Sequence, residues 1–318
     1  MSMNKLQCLA SSLAASRRLL TTPRRPALRP PLRAFHVSTS EPETLFHEVK
    51  DGASGKVRRL AYHRVSGPRR HGLIYIPGFM AHKGGGKPLA LHPFSQKYGF
   101  PYVRYDPSGL GESEGVKKTE TRFSLWLEDA QEMLLNATDG PQIVVITCHL
   151  VQRHPEKFAG ILMLAPGINF HSRYEKVLRS QLTPELLQKF EAGMYYRLLR
   201  RRVNEVRRPM IRCGAVSLYA PDYGEFPITK GHFEDMKKFA LSREPDQIPV
   251  PVPVRIIHGV KDKDVPHTES LPLLHSLEGD VHLTFLKHAG HTLLDPASLE
   301  VIYDAILKLA LEVDQGAK

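Results

Sequence analysis

The chain has 318 residues, 42% hydrophobic and 24% charged, which suffices for one large domain with an insertion and is ordinary for a globular protein. No stretch approaches 18 consecutive apolar residues, which argues against a membrane-spanning helix. The formal net charge of +11 is concentrated in two places: residues 1–40 hold seven basic residues and no acid, and the block from Arg197 to Arg212 holds seven arginines against Glu205 alone. The rest of the chain is close to neutral, which excludes a general polyanion binder, and RNP-type aromatic motifs are absent; no nucleic-acid partner is expected.

In chain order, the first forty residues read as a mitochondrial transit peptide. Leu6, Leu9, Leu13 and Leu20 stripe one side of a helix that carries Arg17 and Arg18 on its polar side, and Arg33-Ala34-Phe35-His36-Val37-Ser38 resembles a matrix-processing pattern. The three cysteines, Cys8, Cys148 and Cys213, have neither metal-ligand spacing nor a disulfide framework.

The body, 44–318, predicts one α/β domain. Strands are expected at 56–65, 72–76, 100–106, 142–146, 160–165, 254–258 and 281–286. Helices are expected at 87–98, 121–137, 149–154, from 267, and at 298–313. Strands alternating with helices of this length mean βαβ units and a doubly wound, mostly parallel sheet. Residues 168–250 break the rhythm and read as a helical lid inserted into it. The arginine block inside that insertion suggests peripheral contact with an acidic membrane surface.

Open parallel sheets bind ligands at the carboxyl ends of their strands, so three loops carry the chemistry. After the first apolar strand comes Pro77-Gly78-Phe79, where Gly78 permits a sharp turn and the Phe79 amide becomes a candidate oxyanion donor. After a later strand comes His258-Gly259-Val260-Lys261-Asp262-Lys263-Asp264-Val265-Pro266. After the last strand comes His288-Ala289-Gly290-His291. An acid followed about 30 residues later by a histidine is the chain order of the α/β-hydrolase triad.

These motifs resemble the α/β-hydrolase superfamily: the Ile-Pro-Gly-Phe turn, the loop Asp106-Pro-Ser-Gly-Leu-Gly-Glu-Ser113, the run 258–266 and Gly290-His291. Asp139-Gly-Pro-Gln-Ile-Val-Val and Arg153-His-Pro-Glu-Lys are similar to its mitochondrial branch of palmitoyl-protein thioesterases and acyl-glucuronide esterases. The resemblance covers roughly residues 56–312. It implies Asp262 as triad acid and His291 as base, with Asp264 and His288 as near alternatives. It implies S-acylated proteins or acyl glucuronides as substrates, no cofactor and no metal, and a monomer.

One part of the pattern is missing. In this family a Gly-x-Ser-x-Gly elbow follows the strand that matches Gln142–Val145, lifting the serine above the sheet and completing the oxyanion hole with the next amide. Here the chain runs straight into Ile146-Thr147-Cys148-His149-Leu150. The serine, the strained turn and one oxyanion amide are lost together, so the chain as written is expected not to turn substrate over. Two weak candidates remain. Ser113, in Gly111-Glu112-Ser113-Glu114-Gly115, matches the elbow formally but lies in an open loop between two acids, which would oppose an oxyanion. Cys148 lies near the correct strand end but reads as a helix residue, and buried cysteine is usually inert. The two function classes are therefore a serine hydrolase of this family and a protein that binds acyl ligands or a partner without turnover.

Overall fold

The computed structural model describes residues 42–51, 55–145, 148–192, 198–199, 210–211, 216–220 and 224–316. The segment expected to be a transit peptide, most of the block between Arg197 and Arg212, and residues 146 and 147 lie outside the described residues.

Eight strands form one sheet: β1 (Leu45–Lys50), β2 (Val57–Val65), β3 (Gly72–Tyr75), β4 (Tyr102–Tyr105), β5 (Gln142–Val145), β6 (Phe158–Leu164), β7 (Val254–Gly259) and β8 (Val281–Leu286). Their order is β1-β2-β4-β3-β5-β6-β7-β8. From β4 to β8 every pairing is parallel, while β2 pairs antiparallel with both β1 and β4.

The central strands are short, mostly apolar and buried throughout because both faces are covered, with Arg104 and Gln142 the polar residues of β4 and β5. Residues 73 and 74, 143 and 144, and 161 and 162 alternate between two apolar clusters, one on each face, as a period of two requires. On one face Leu127, Ala130, Met133 and Leu134 of α2 (Phe123–Asn136) cover the sheet. On the other, Leu91 and Phe94 of α1 (Gly86–Tyr98) pack with Ile302, Ile306 and Leu309 of α7 (Pro296–Gly316).

Two elements differ from the sequence reading. β1 is an extra edge strand with only Val49 buried; a short strand exposed along most of its length carries little apolar periodicity to find it by. The insertion between β6 and β7 has the expected helices α4 (Phe170–Gln181), α5 (Pro184–Glu191) and α6 (Lys230–Lys237), yet Val216–Ala220 and Gly224–Ile228 pair as antiparallel strands. Val, Tyr, Phe and Ile favour a pleated ladder, and Pro221-Asp222-Tyr223 separates the two runs.

The insertion is tied down at both ends. The Asn169 side chain donates to Leu241 O and accepts from Leu241 N, both at 2.8 Å. Asp235 on α6 accepts from the Ser124 amide at 2.8 Å, capping the first turn of α2 from another element. Phe190, Ile228 and Phe233 form a small apolar cluster of their own, against which Phe79 packs.

Candidate active site

The parallel pairing of β7 with β8 brings the acid loop and the histidine loop side by side at the carboxyl edge. The approach is close. A Cβ on Gly259 would stand 2.4 Å from Ala289 O and 2.6 Å from Gly290 O, so only glycine fits there. The Val260 and Lys261 amides then donate to Leu286 O and Ala289 O, both at 2.9 Å, and lock the two loops together.

This contact brings Asp262 and His291 together, with Asp262 Oδ2 2.8 Å from His291 Nδ1. The acid is buried, while the imidazole is partly open to solvent. Asp262 also accepts from the amides of Asp264 and Val265, both at 2.8 Å, through Oδ1. A second imidazole reaches the same carboxylate: His258 Nε2 lies 3.2 Å from Oδ2 and 3.1 Å from Val265 O. A carbonyl can only accept, so Nε2 of His258 carries the proton, and Nδ1 takes the Ser270 hydroxyl at 2.7 Å. By the same reasoning His291 donates through Nδ1 and turns the Nε2 lone pair away from the acid.

Burial opposes ionisation of Asp262 more than any other single influence. Hydrogen bonds from His258, His291 and the Val265 amide together overcome it and hold the carboxyl well below the usual range. The near alternatives differ in place. Asp264 is exposed beside Asp262, to which its amide donates, and His288 is exposed on its loop. One ligand atom each from Asp262, Asp264 and His291 lies within 4.8 Å of the others. Asp262, however, already accepts four hydrogen bonds, about the capacity of a carboxylate, so this donor set does not suit a cation.

The turn after β3 follows a different backbone route from the one the sequence suggests. Gly78 is not in a left-handed conformation, and a Cβ there would meet nothing within 4 Å; Met80 takes the left-handed step, at φ 65°. For a residue with a Cβ that costs about 1–2 kcal/mol, held in place by its surroundings. Met80 is buried with Leu110, and Phe79 packs edge-on to Trp126 at 5.7 Å.

A buried ion cluster supports this turn. The Asp106 carboxylate accepts from the Lys83 amide at 2.7 Å, the Lys83 ammonium at 2.7 Å and the Glu112 amide at 2.8 Å. Lys83 also bonds to Glu112. Asp106 thus fastens the turn 77–83 to the loop 106–115. Gly111 is obligatory in that loop, with φ +54° and a virtual Cβ 2.2 Å from the Asp106 carboxylate.

Ser113 belongs to this scaffold. Its hydroxyl donates to Asp106 O at 2.6 Å and accepts from the Ala61 amide at 2.9 Å, and no hydrogen bond joins it to Asp262 or His291. Cys148 opens α3 (Cys148–Arg153), and its side chain lies outside the described residues. Only residues 146 and 147 separate the end of β5 from α3.

Three contributors escaped the sequence reading: His258, Lys87 and the Lys83–Asp106 pair. The spacing of four between His258 and Asp262 was the one available signal for the first. Lys87 and Lys83 carry no pattern, since their partners lie 204 and 23 residues away.

The family described as serine aminopeptidase S33 (Hydrolase_4) matches residues 68–296. The chain belongs to this family. Its fold is that of the α/β-hydrolases, and by family it is a hydrolase. The palmitoyl-protein thioesterase ABHD10, mitochondrial, of Pongo abelii is 28% identical over 251 residues, covering 76% of this chain and 74% of that protein. The solved structure of mouse alpha/beta hydrolase domain-containing protein 10 superposes with a TM-score of 0.66 at 25% identity, covering 85% of this chain and 99% of that one. A hydrolase structure from Agrobacterium vitis S4 gives 0.67 at 23% identity, over 84% and 98%, a likeness of fold alone.

Proposed function

We propose that this hydrolase-family chain carries a mitochondrial acyl-thioester site of the kind its palmitoyl-thioesterase relatives use, with acyl esters such as acyl glucuronides as the related class. Asp262 is its acid, His291 its base and the Phe79 amide its oxyanion donor. The observation that carries the reading is the 2.8 Å Asp262–His291 hydrogen bond at the carboxyl edge of the sheet. In an intact site the His291 Nε2 lone pair would take the serine proton, the serine would attack the acyl carbon, and water would release the acid. Phe79 reaches the apolar cluster of the insertion, which supports the insertion acting as a lid over an acyl chain.

The chain as written binds without turnover. Removing the nucleophile from a serine triad costs on the order of 10⁶ in rate, about 8 kcal/mol of barrier. Fluorophosphonate labelling and repeated turnover in a palmitoyl-thioester assay test this: neither should be seen with the present chain. Inserting a Gly-Ser-Ser-x-Gly-Gly-type elbow between Val145 and Ile146 should restore both. Robust turnover by the unmodified chain, abolished by Cys148→Ala or Ser113→Ala, would overturn the reading. The targeting half is tested separately by mass spectrometry of the mature N-terminus, which should lack roughly the first 35–42 residues. An intact Met1 in the cytosol would contradict it.

A further inference from the structure

We propose that Lys87 is the acyl acceptor of this site, its Nζ taking the acyl group of a bound acyl thioester as an amide; this rests on the acyl-thioester reading above. The first turn of α1 sits directly against the histidine loop. A Cβ on Gly86 would stand 2.4 Å from Leu294 Cδ1, and one residue later Lys87 Nζ donates to His291 O at 3.2 Å. The amine therefore lies beside the residue proposed as base, on the helix that follows the Phe79 turn.

The surroundings favour the free base. Burial pushes the Lys87 amine down to about 8, against the opposing charges of Asp262 and Asp264. The positive end of α1 acts in the same direction as burial, and no acid stands in the first turn to offset it. A neutral amine can still donate one hydrogen to His291 O while offering its lone pair, and desolvated lysines of this kind are recognised nucleophiles.

The step balances without a further reactant. The Nζ lone pair forms a bond to the thioester carbonyl carbon, and the C–S bond breaks. The His291 imidazole takes the proton shed by nitrogen and passes it to the departing thiolate. The products are a thiol and an amide on Lys87, so the reaction stops after one acyl group per chain.

At pH 8 Lys87 offers about 10²-fold more free base than a lysine of ordinary basicity. A less basic nucleophile is intrinsically slower, which returns about tenfold of that, leaving about a tenfold advantage.

The test incubates the full chain with palmitoyl-CoA at pH 8 and maps the acylated peptides. Lys87 should be modified about tenfold faster than the average of the other lysines, an advantage lost on denaturation. Lys87→Arg and Lys87→Gln should each remove that peptide and leave the others. Acyl groups spread evenly over the lysines, or carried by Cys148 and removed by Cys148→Ala, would overturn the proposal. A non-transferable thioether analogue of palmitoyl-CoA separates the two readings through the fluorescence of Trp126, the only tryptophan, 5.7 Å from Phe79. Binding without acylation of Lys87 sinks this inference and leaves the acyl-thioester reading standing; no binding and no acylation sinks both.

Discussion

At Asp262 one carboxylate serves four donors, and each oxygen has a distinct duty. Oδ1 holds its own loop through two amides, while Oδ2 joins two imidazoles. Asparagine cannot replace it, because an amide can present oxygen to only one of these donor pairs and must point N–H groups at the other. Asp262→Asn should therefore cost about 2–3 kcal/mol, read as a lower urea midpoint at pH 7. Gly259→Ala attacks the same junction from the backbone. Its methyl would enter the space of two carbonyls, so the loops must part, at about 1–3 kcal/mol and with the Asp262–His291 hydrogen bond lengthened in a crystal structure of the variant. An unchanged melting point for Gly259→Ala would mean the loops are not locked as described.

Among the elements, the insertion depends on a few fixed points rather than on a broad core. Asn169 supplies one of them, with a left-handed φ of 51° and two hydrogen bonds to Leu241. Replacing it separates two effects. Asn169→Gly loses the hydrogen bonds but relieves the backbone, while Asn169→Ala loses both and should be about 1 kcal/mol less stable than the glycine variant. Limited proteolysis of the native protein should cut both variants faster within 168–250 than the parent. Equal resistance in all three would show that the clamp contributes nothing. The junction of β5 with α3 is the opposite case: Leu150 and Val151 are fully buried, so the helix that should follow an elbow is packed even though the elbow is missing.

At the scale of the whole molecule, the histidines that burial makes reluctant to protonate gather, among the described residues, around the insertion. Burial lowers all three of them first: His171 on α4, with Lys237 adding to it; His232 on α6, with Arg122 adding to it; and His149 on α3, which packs on Phe239. His232 is the extreme, pushed down to about 4, and it accepts the Thr229 amide through Nδ1 at 3.0 Å. An ordinary histidine in the unfolded chain titrates near 6.5, so between pH 6.5 and 4 the unfolded state binds more protons. The stability these histidines contribute is therefore full above about pH 6.5 and falls as the pH drops toward 4, with up to about 3 kcal/mol from His232. Burial raises Asp129 to about 6, and that group gains stability as the pH falls through the same window, so the test is a difference: from pH 7 to 4.5 the urea midpoint of the parent should fall further, or rise less, than that of His232→Gln. The same change of midpoint with pH in parent and variant would contradict this.

The sequence by itself determined the alternating α/β architecture, the chain order of acid and histidine, and the gap where the nucleophile belongs. Each is a local matter of apolar runs, turn residues and a short stretch of chain that is either present or absent. Tertiary structure alone decided the rest. That His258 shares the carboxylate of Asp262, that Lys87 reaches His291 from 204 residues away, and that Ser113 staples Asp106 to Ala61 all depend on register between strands. So does the left-handed step at Met80 rather than at Gly78. A side chain's type limits what it can donate or accept, but its partner is chosen by the packing of distant elements, and no local pattern records that choice.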